Sequence, residues 1–218
     1  MRHQSHDSYS STHPARFLGS AAFALALSIA VLCAASCRKL HRTNLNPLDN
    51  VGMSYSSDQE LRGLDVTDAE VVELAKAKRA GLSDSGCVEL VRIARAQKHG
   101  LPEGDAIAGL RQAGMAESTI LELARLSQLG LEAGEEQAMR LAGLSDRIIL
   151  EVARRRAAGK PALAGASLAD LKNAGVSEAT MLTLLERGVT DDQVSAITAF
   201  KNRGSSDNDV LRRHPAPR

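Results

Sequence analysis

The sequence has few aromatic residues, cysteines and prolines. Among 218 residues there are three Phe, two Tyr and no Trp. Since bases and sugars stack on aromatic faces, this composition argues against a stacking platform for nucleic acid or carbohydrate. Three cysteines are too few to build a disulfide framework. Six prolines and the lack of a long β-branched run favour helices over a β-sheet.

The chain also lacks an excess of charge of either sign. Lys and Arg number 27, against 26 Asp and Glu. No overall positive field is therefore present to draw the protein onto nucleic acid, and no negative field to collect cations. What the sequence has instead is Ala, Leu, Val, Glu and Arg in abundance, a composition typical of helical proteins.

The N-terminal segment carries the pattern of a secretory signal. Residues 1–16 are polar and include two arginines, and residues 17–36 are apolar, small and uncharged. The end of the stretch, residues 34–37 with the sequence AASC, resembles the lipobox of bacterial lipoproteins. That resemblance implies that Cys37 is acylated and becomes the first residue of the mature chain.

Two alternatives to lipidation stay open for this segment. The apolar stretch is about 20 residues long, which is enough to span a bilayer without cleavage. The basic residues Arg38, Lys39 and Arg42 follow it directly, and basic residues tend to remain cytoplasmic. Ordinary signal cleavage is the third possibility. The leading interpretations place the protein at a membrane of a bacterial cell envelope, with its folded part on the extracytoplasmic side.

The composition divides the rest of the chain into three parts. Residues 38–65 have no sustained periodicity and many Asn, Ser and Asp, which predicts a flexible polar tether. Residues 66–203 form a repeat region. Residues 204–218 are too polar to pack and are predicted to be a disordered tail.

One five-residue pattern recurs through the repeat region: Ala, Gly, an apolar residue, Ser or Ala, then Asp or Glu. Its glycines are predicted helix stops, because glycine adopts the left-handed conformation without a Cβ clash. The serine caps the next helix and the acidic residue suits the positive end of its dipole. Partial copies lie at residues 66–68 and 188–192. The four glycines of the full copies are Gly81, Gly114, Gly143 and Gly175.

The segment after each glycine repeats an amphipathic pattern. Positions six, seven, nine and ten after the glycine are apolar in all four copies, which predicts a helix with one apolar face. Positions eight and eleven are Glu and Arg in three copies and can pair across one helical turn. The predicted fold is all-α: stacked helix-turn-helix hairpins with a period of about 30 residues, in a short solenoid-like array or bundle. Eight or nine helices are expected between residues 66 and 203.

Few side chains in the repeat region are suited to catalysis. His99 precedes a predicted helix stop, where a cation complements the dipole, and Cys87 occupies an apolar-face position. One His and one Cys cannot form a zinc site, and the glycines are spaced as helix stops rather than as a phosphate loop. The sequence therefore predicts a protein that is not an enzyme, with no metal, no cofactor and no small-molecule substrate.

Nucleic-acid binding is also not expected. The repeated joint resembles in outline the helix-hairpin-helix modules that grip the DNA backbone. Those modules carry a second glycine two residues after the first, which exposes N–H groups to phosphate. In this chain the position holds Ser83, Ala116, Ser145 and Ser177.

A basic run is the remaining candidate contact patch. Arg154, Arg155 and Arg156 are consecutive, and Lys160 follows closely. These residues could contact phosphate, lipid headgroups or an acidic partner. Acidic residues flank the run, which favours a solvated helix face instead.

The sequence as a whole favours a non-enzymatic interaction or scaffold module. Its membrane contact is the N-terminal anchor or lipid, and its expected partner is another protein. The alternative is a nucleic-acid-binding helical-hairpin protein on the cytoplasmic face of an uncleaved membrane anchor.

Overall fold

The structure is a computed structural model of the chain, and it describes residues 43–127 and 134–215. The predicted signal segment with Cys37 lies outside these ranges. Within them every element of regular structure is helical, with twelve helices and no strand. The all-α prediction is therefore confirmed.

The helices form two rows, and successive members of a row pack side by side. The first row contains α1 (Asn46–Asp49), α3 (Asp68–Arg79), α5 (Gly104–Gln112), α7 (Glu135–Leu141), α9 (Gly165–Asn173) and α11 (Asp191–Asn202). The second row contains α2 (Tyr55–Gly63), α4 (Asp84–Gln97), α6 (Glu117–Arg125), α8 (Asp146–Ala157), α10 (Glu178–Glu186) and α12 (Asp207–Arg213).

Each first-row helix forms a hairpin with the second-row helix that follows it. The described residues thus contain six hairpins, numbered here from hairpin 1 (α1–α2) to hairpin 6 (α11–α12). Nine of the twelve helices lie between residues 66 and 203, as the repeat pattern predicts. Each hairpin packs on the hairpins before and after it, which is the arrangement of a solenoid-like repeat array.

One continuous core runs through the array between the two rows. Positions six, nine and ten after each joint glycine are buried, as the apolar pattern predicts. Position seven is buried only at Val88, and Leu121, Leu150 and Leu182 are half-buried where they pack against the core. The apolar face of these helices is therefore narrower than the sequence pattern suggests.

The array begins earlier than predicted, because residues 43–65 are not a tether. They form hairpin 1, in which Leu48 and Leu61 are fully buried. The Thr43 hydroxyl donates to the Val66 carbonyl oxygen at 2.7 Å, which fixes the start of this segment to the next hairpin. The polar composition has a physical reason: among the described hairpins, hairpin 1 packs on one neighbour only, so fewer of its side chains belong to the core.

The predicted disordered tail is also wrong for residues 205–215. They include α12, whose Val210 is 1 % exposed. The Arg187 guanidinium donates to the carbonyl oxygens of Leu211 and His214 at the end of this helix. The Arg213 guanidinium lies 3.9 Å from the centre of the Phe200 ring and joins α12 to α11.

Two joints of the repeat were missed at the ends of the array. Gly52 precedes Gly81, and Gly204 follows Gly175, by the same interval that separates Gly114 from Gly143. Both have positive φ and join the two helices of a hairpin, like the four glycines predicted as helix stops. The partial copies at residues 66–68 and 188–192 instead connect one hairpin to the next.

Candidate functional site

The joints between paired helices are the most regular feature of the array. Gly81, Gly114, Gly143 and Gly175 each lie two positions after the last residue of a first-row helix, with φ between +79° and +94°. The N–H of the next residue donates to the carbonyl oxygen five residues earlier, as from Leu82 to Ala77 at 3.1 Å. That residue is buried in every copy, so the turn also contributes to the core.

A series of carboxylates connects these joints to one another. The carboxylate of the first residue of a second-row helix accepts a hydrogen bond from the preceding hairpin. The donor is the backbone N–H of the residue that caps the second-row helix of that hairpin. Ser83 N–H donates in this way to Glu117 at 2.8 Å, and Ala116 N–H to Asp146 at 3.0 Å. We call the five acceptors the carboxylate ladder: Asp84, Glu117, Asp146, Glu178 and Asp207.

Hydrogen bonds lower the pKa of ladder carboxylates at both ends of the series. Burial raises the pKa of Asp207, but hydrogen bonds from Lys201, Ser177 and Thr180 outweigh that effect and hold the pKa below its usual range. At the other end of the ladder, the hydrogen bond from Lys78 is the main reason that the pKa of Asp84 is lowered. Charge-assisted bonds of this kind are stronger than neutral ones, so the ladder fixes the register between hairpins.

Basic residues three positions before the joint glycines complete the arrangement. The Arg140 guanidinium donates to the Leu144 carbonyl oxygen in its own joint at 3.1 Å and to the Gly114 carbonyl oxygen in the preceding joint at 3.2 Å. Arg111 makes the equivalent pair of bonds. The sequence shows a Lys or Arg three residues before each of these glycines. Their role could not be predicted from that spacing, because it depends on contacts between successive hairpins. The five residues are Lys78, Arg111, Arg140, Lys172 and Lys201.

The ladder bears directly on phosphate binding. In helix-hairpin-helix modules the backbone N–H groups of the turn are free for phosphate. Here the N–H groups at the equivalent positions, Ser83, Ala116, Ser145 and Ser177, already donate to carboxylates of the ladder. A phosphate would have to displace a carboxylate and would meet its negative charge.

The outer side of the second row carries a chain of alternating ion pairs. Arg125 contacts Glu89 of the preceding hairpin at 2.9 Å and Glu122 of its own helix at 3.4 Å. Arg92 pairs in the same way with Glu60 at 2.7 Å. The sequence predicted pairs within one helix, and the structure adds the pairs between hairpins. Because these side chains are well exposed, each pair contributes little to stability.

Each arginine of the predicted basic patch contacts a different partner. Arg154 contacts Glu122 at 3.5 Å, and Arg155 Nε donates to the Pro161 carbonyl oxygen at 2.8 Å. Arg156 makes two bonds to Glu135, at 2.6 and 2.8 Å. Lys160 is exposed. The three arginines therefore stabilise neighbouring segments rather than forming one cationic surface.

The two candidate reactive residues lie in different surroundings. Cys87 is fully buried, and burial raises the pKa of its thiol to about 12, so the nucleophilic thiolate is scarce at neutral pH. His99 is exposed just after α4. Over residues 43–127 and 134–215, no group of three or more His, Cys, Asp or Glu side chains has the geometry to hold a metal ion.

A cavity of about 580 Å³ lies where α4, α6 and α8 run side by side. Its floor is apolar and includes Leu90, Ile93 and Ala124. Polar side chains at its edge include Gln97 and Ser127, whose hydroxyl donates to Gln97 Oε1 at 3.1 Å. A smaller cavity of about 450 Å³ shares Ile93 and Gln97 and extends across α4. We call the two together the second-row groove.

No helix in the described part of the chain combines the length and the apolar character needed to cross a bilayer. The lipidation candidate Cys37 and the apolar stretch before it lie outside the residues that the structure describes. No protein-family model matches the chain, and no curated protein is significantly similar to it in sequence.

Proposed function

We propose that this chain is a non-enzymatic, membrane-anchored protein of a bacterial cell envelope whose helical array binds another protein. The observation that carries the proposal is the second-row groove, which extends over three successive hairpins. Stacked hairpins offer extended surfaces of this kind to helices and peptides.

The chemistry of the groove suits a large apolar side chain of a partner. An apolar floor flanked by a few polar groups is the usual form of a pocket that takes an anchor residue. The charges beside it, such as Arg92 and Arg125, are already paired with glutamates. The groove therefore favours a partner segment of mixed polarity over a polyanion.

In-cell photo-cross-linking tests the groove. A photoreactive residue at Ala96 or Ala157, both exposed at the groove, is expected to give a discrete protein adduct. The same residue at Ala199, exposed on α11 and away from the groove, serves as the matched control. Adducts that are absent at both groove positions, or equally strong at Ala199, would contradict the proposed surface.

The anchor is tested by the mass of the mature N-terminus. The resemblance of residues 34–37 to a lipobox leads us to expect a diacylglyceryl group on Cys37. A full-length mass would indicate an uncleaved helical anchor instead. A chain cleaved in this region without lipid would have no membrane anchor, and the proposal of anchoring would then be wrong.

Protease digestion of spheroplasts tests which side of the membrane holds the array. The proposed placement expects digestion of the array without lysis. Digestion only after lysis would put the array in the cytoplasm, where the nucleic-acid-binding alternative operates. Binding to phosphate there would still have to overcome the carboxylate ladder.

A further inference from the structure

Hairpin 1 buries one aspartate beside two others. Within the described part of the chain, Asp58 on α2 is 5 % exposed and its Oδ1 atom has no hydrogen-bond donor. The side chain within hydrogen-bonding reach is that of Asp49 at the end of α1, and Asp84 at the start of α4 adds a second negative charge. Two carboxyl groups share a hydrogen bond only when one of them holds a proton.

The basic groups around Asp58 do not compensate for these carboxylates. Arg62, one turn further along α2, is exposed and also donates to the Thr43 carbonyl oxygen at 3.4 Å. Lys78 of α3 contacts Asp84 at 2.6 Å. Burial first, and then the neighbouring Asp49, raise the pKa of Asp58 to about 6.

The three aspartates lie where hairpin 1 packs on hairpin 2. Helix α1 packs on α3, and α2 packs on α4. Asp84 also accepts the Ser54 N–H at 2.9 Å, so it belongs to the polar contacts that join the two hairpins. A charge on Asp58 is thus repelled from two sides, by Asp49 within the hairpin and by Asp84 across the interface.

We propose that Asp58 makes the docking of hairpin 1 on hairpin 2 sensitive to pH, so that the hairpin is held firmly in acid and loosened at neutral pH. Hairpin 1 suits this behaviour because, among the described hairpins, it packs on hairpin 2 alone and can open without unfolding hairpins 3 to 6. Opening uncovers the faces of α3 and α4 that hairpin 1 covers.

The direction of the pH dependence follows from how tightly Asp58 binds its proton in the docked hairpin. A single hairpin buries too little surface to stay folded alone, so hairpin 1 unfolds when it opens. Asp58 therefore binds its proton more tightly in the docked hairpin than in the opened segment, where its pKa returns toward 3.8. Its contribution to docking is therefore complete below about pH 4 and is lost as the pH rises through about 6.

Hydrogen exchange on the full chain in detergent micelles tests the proposal. After correction for intrinsic exchange rates, protection of the α2 amides is expected to fall about tenfold between about pH 5 and about pH 7.5, as the two pKa values imply. Protection of the α10 amides is expected to change far less. Asp58→Asn, which has the shape of the protonated carboxyl and can donate to Asp49, is expected to keep the acid-level protection at both pH values.

Two further variants make the outcome specific. Asp49→Asn removes the partner that shares the proton but leaves Asp58 buried, so the ratio of α2 protection at about pH 5 to that at about pH 7.5 is expected to fall below the wild-type value without reaching one. Asp170→Asn changes an exposed aspartate on α9 and is the control. It is expected to keep the wild-type ratio of α2 protection between the two pH values. Equal ratios for α2 and α10 in the wild type would overturn the proposal, and so would a tenfold change that persists in Asp58→Asn.

Discussion

At the scale of single residues, glycine serves two different purposes in this array. At Gly143 the backbone needs a φ of +80°, and no atom lies within 4 Å of the place where a Cβ would stand. At Gly104 the φ is ordinary for a helix, but an added Cβ would lie 2.3 Å from the Glu73 carbonyl oxygen. The first glycine ends a helix, and the second lets α5 pack closely on α3.

These two roles predict costs of different size. Gly104→Ala is expected to lower the free energy of unfolding by about 2–3 kcal/mol, since the backbone of α3 must move. Gly143→Ala should cost about 1 kcal/mol, because only the left-handed conformation opposes it. Gly63→Ala is the control, since that glycine ends α2 with ordinary φ and open space, and it should gain about 0.5–1 kcal/mol. Urea unfolding measures the free energy of unfolding of all three variants. A larger loss for Gly143→Ala than for Gly104→Ala would contradict the two roles assigned to these glycines.

At the scale of elements, each helix depends on side chains supplied by the neighbouring hairpin. The last helix, α12, shows this most clearly. Its first residue, Asp207, accepts hydrogen bonds from the Ser177 N–H at 3.1 Å and the Thr180 hydroxyl at 2.9 Å. Arg187 of hairpin 5 binds the carbonyl oxygens at the other end of α12. A short helix of seven residues is therefore held at both ends.

Asp207→Asn is expected to loosen α12 selectively. The amide keeps the shape but loses the charge that pairs with Lys201, so hydrogen-exchange protection of the α12 amides at pH 7 should fall by about tenfold. Because the pKa of Asp207 is lowered in the folded state, its contribution is present above the unfolded pKa and is lost as the pH falls below it. The difference between wild type and variant should therefore shrink in acid. Asn208→Ala, at the exposed position one residue further on, should behave like the wild type.

At the scale of the whole molecule, the array is built from contacts between adjacent hairpins. The carboxylate ladder joins every consecutive pair among the six described hairpins. In hairpin 6 the Ser206 N–H donates to Asp209 of its own helix at 3.1 Å, instead of to a carboxylate of the ladder. A capping box within the same helix thus satisfies the donor that a ladder carboxylate satisfies in the other hairpins.

Removal of hairpin 6 is expected to leave the other hairpins folded. A chain that stops after Gly188 should keep the helical circular dichroism of hairpins 1 to 5, with a urea m-value lower by roughly one sixth. A chain that stops after Asn173, in the middle of hairpin 5, should lose further stability, because α9 then lacks its partner α10. Complete unfolding of the first truncated chain would contradict this expectation. It would show that the array folds as one cooperative unit, and that its stability is not a sum of contributions from hairpins and their interfaces.

The sequence alone determined the helical class, the repeat period and the internal joints, because those features follow from local chemistry. Glycine takes positive φ at Gly81 and its equivalents, and an apolar period near 3.6 predicts a helix wherever it occurs. The same local reasoning failed at hairpin 1 and in α12. Their polar residues looked like a tether and a tail, although Gly52 and Gly204 continue the spacing of the repeat.

Only the tertiary structure decided which residues meet across hairpins. Glu89 and Arg125 are 36 positions apart, and the sequence assigned each of them to a pair within its own helix. Three further features could not be predicted from the sequence either. They are the carboxylate ladder, the partners of Arg154, Arg155 and Arg156, and the burial of Asp58 beside Asp49 and Asp84. Local propensity fixes a residue's place on its helix. The register between stacked hairpins, which depends on packing around the whole core, fixes what that residue touches.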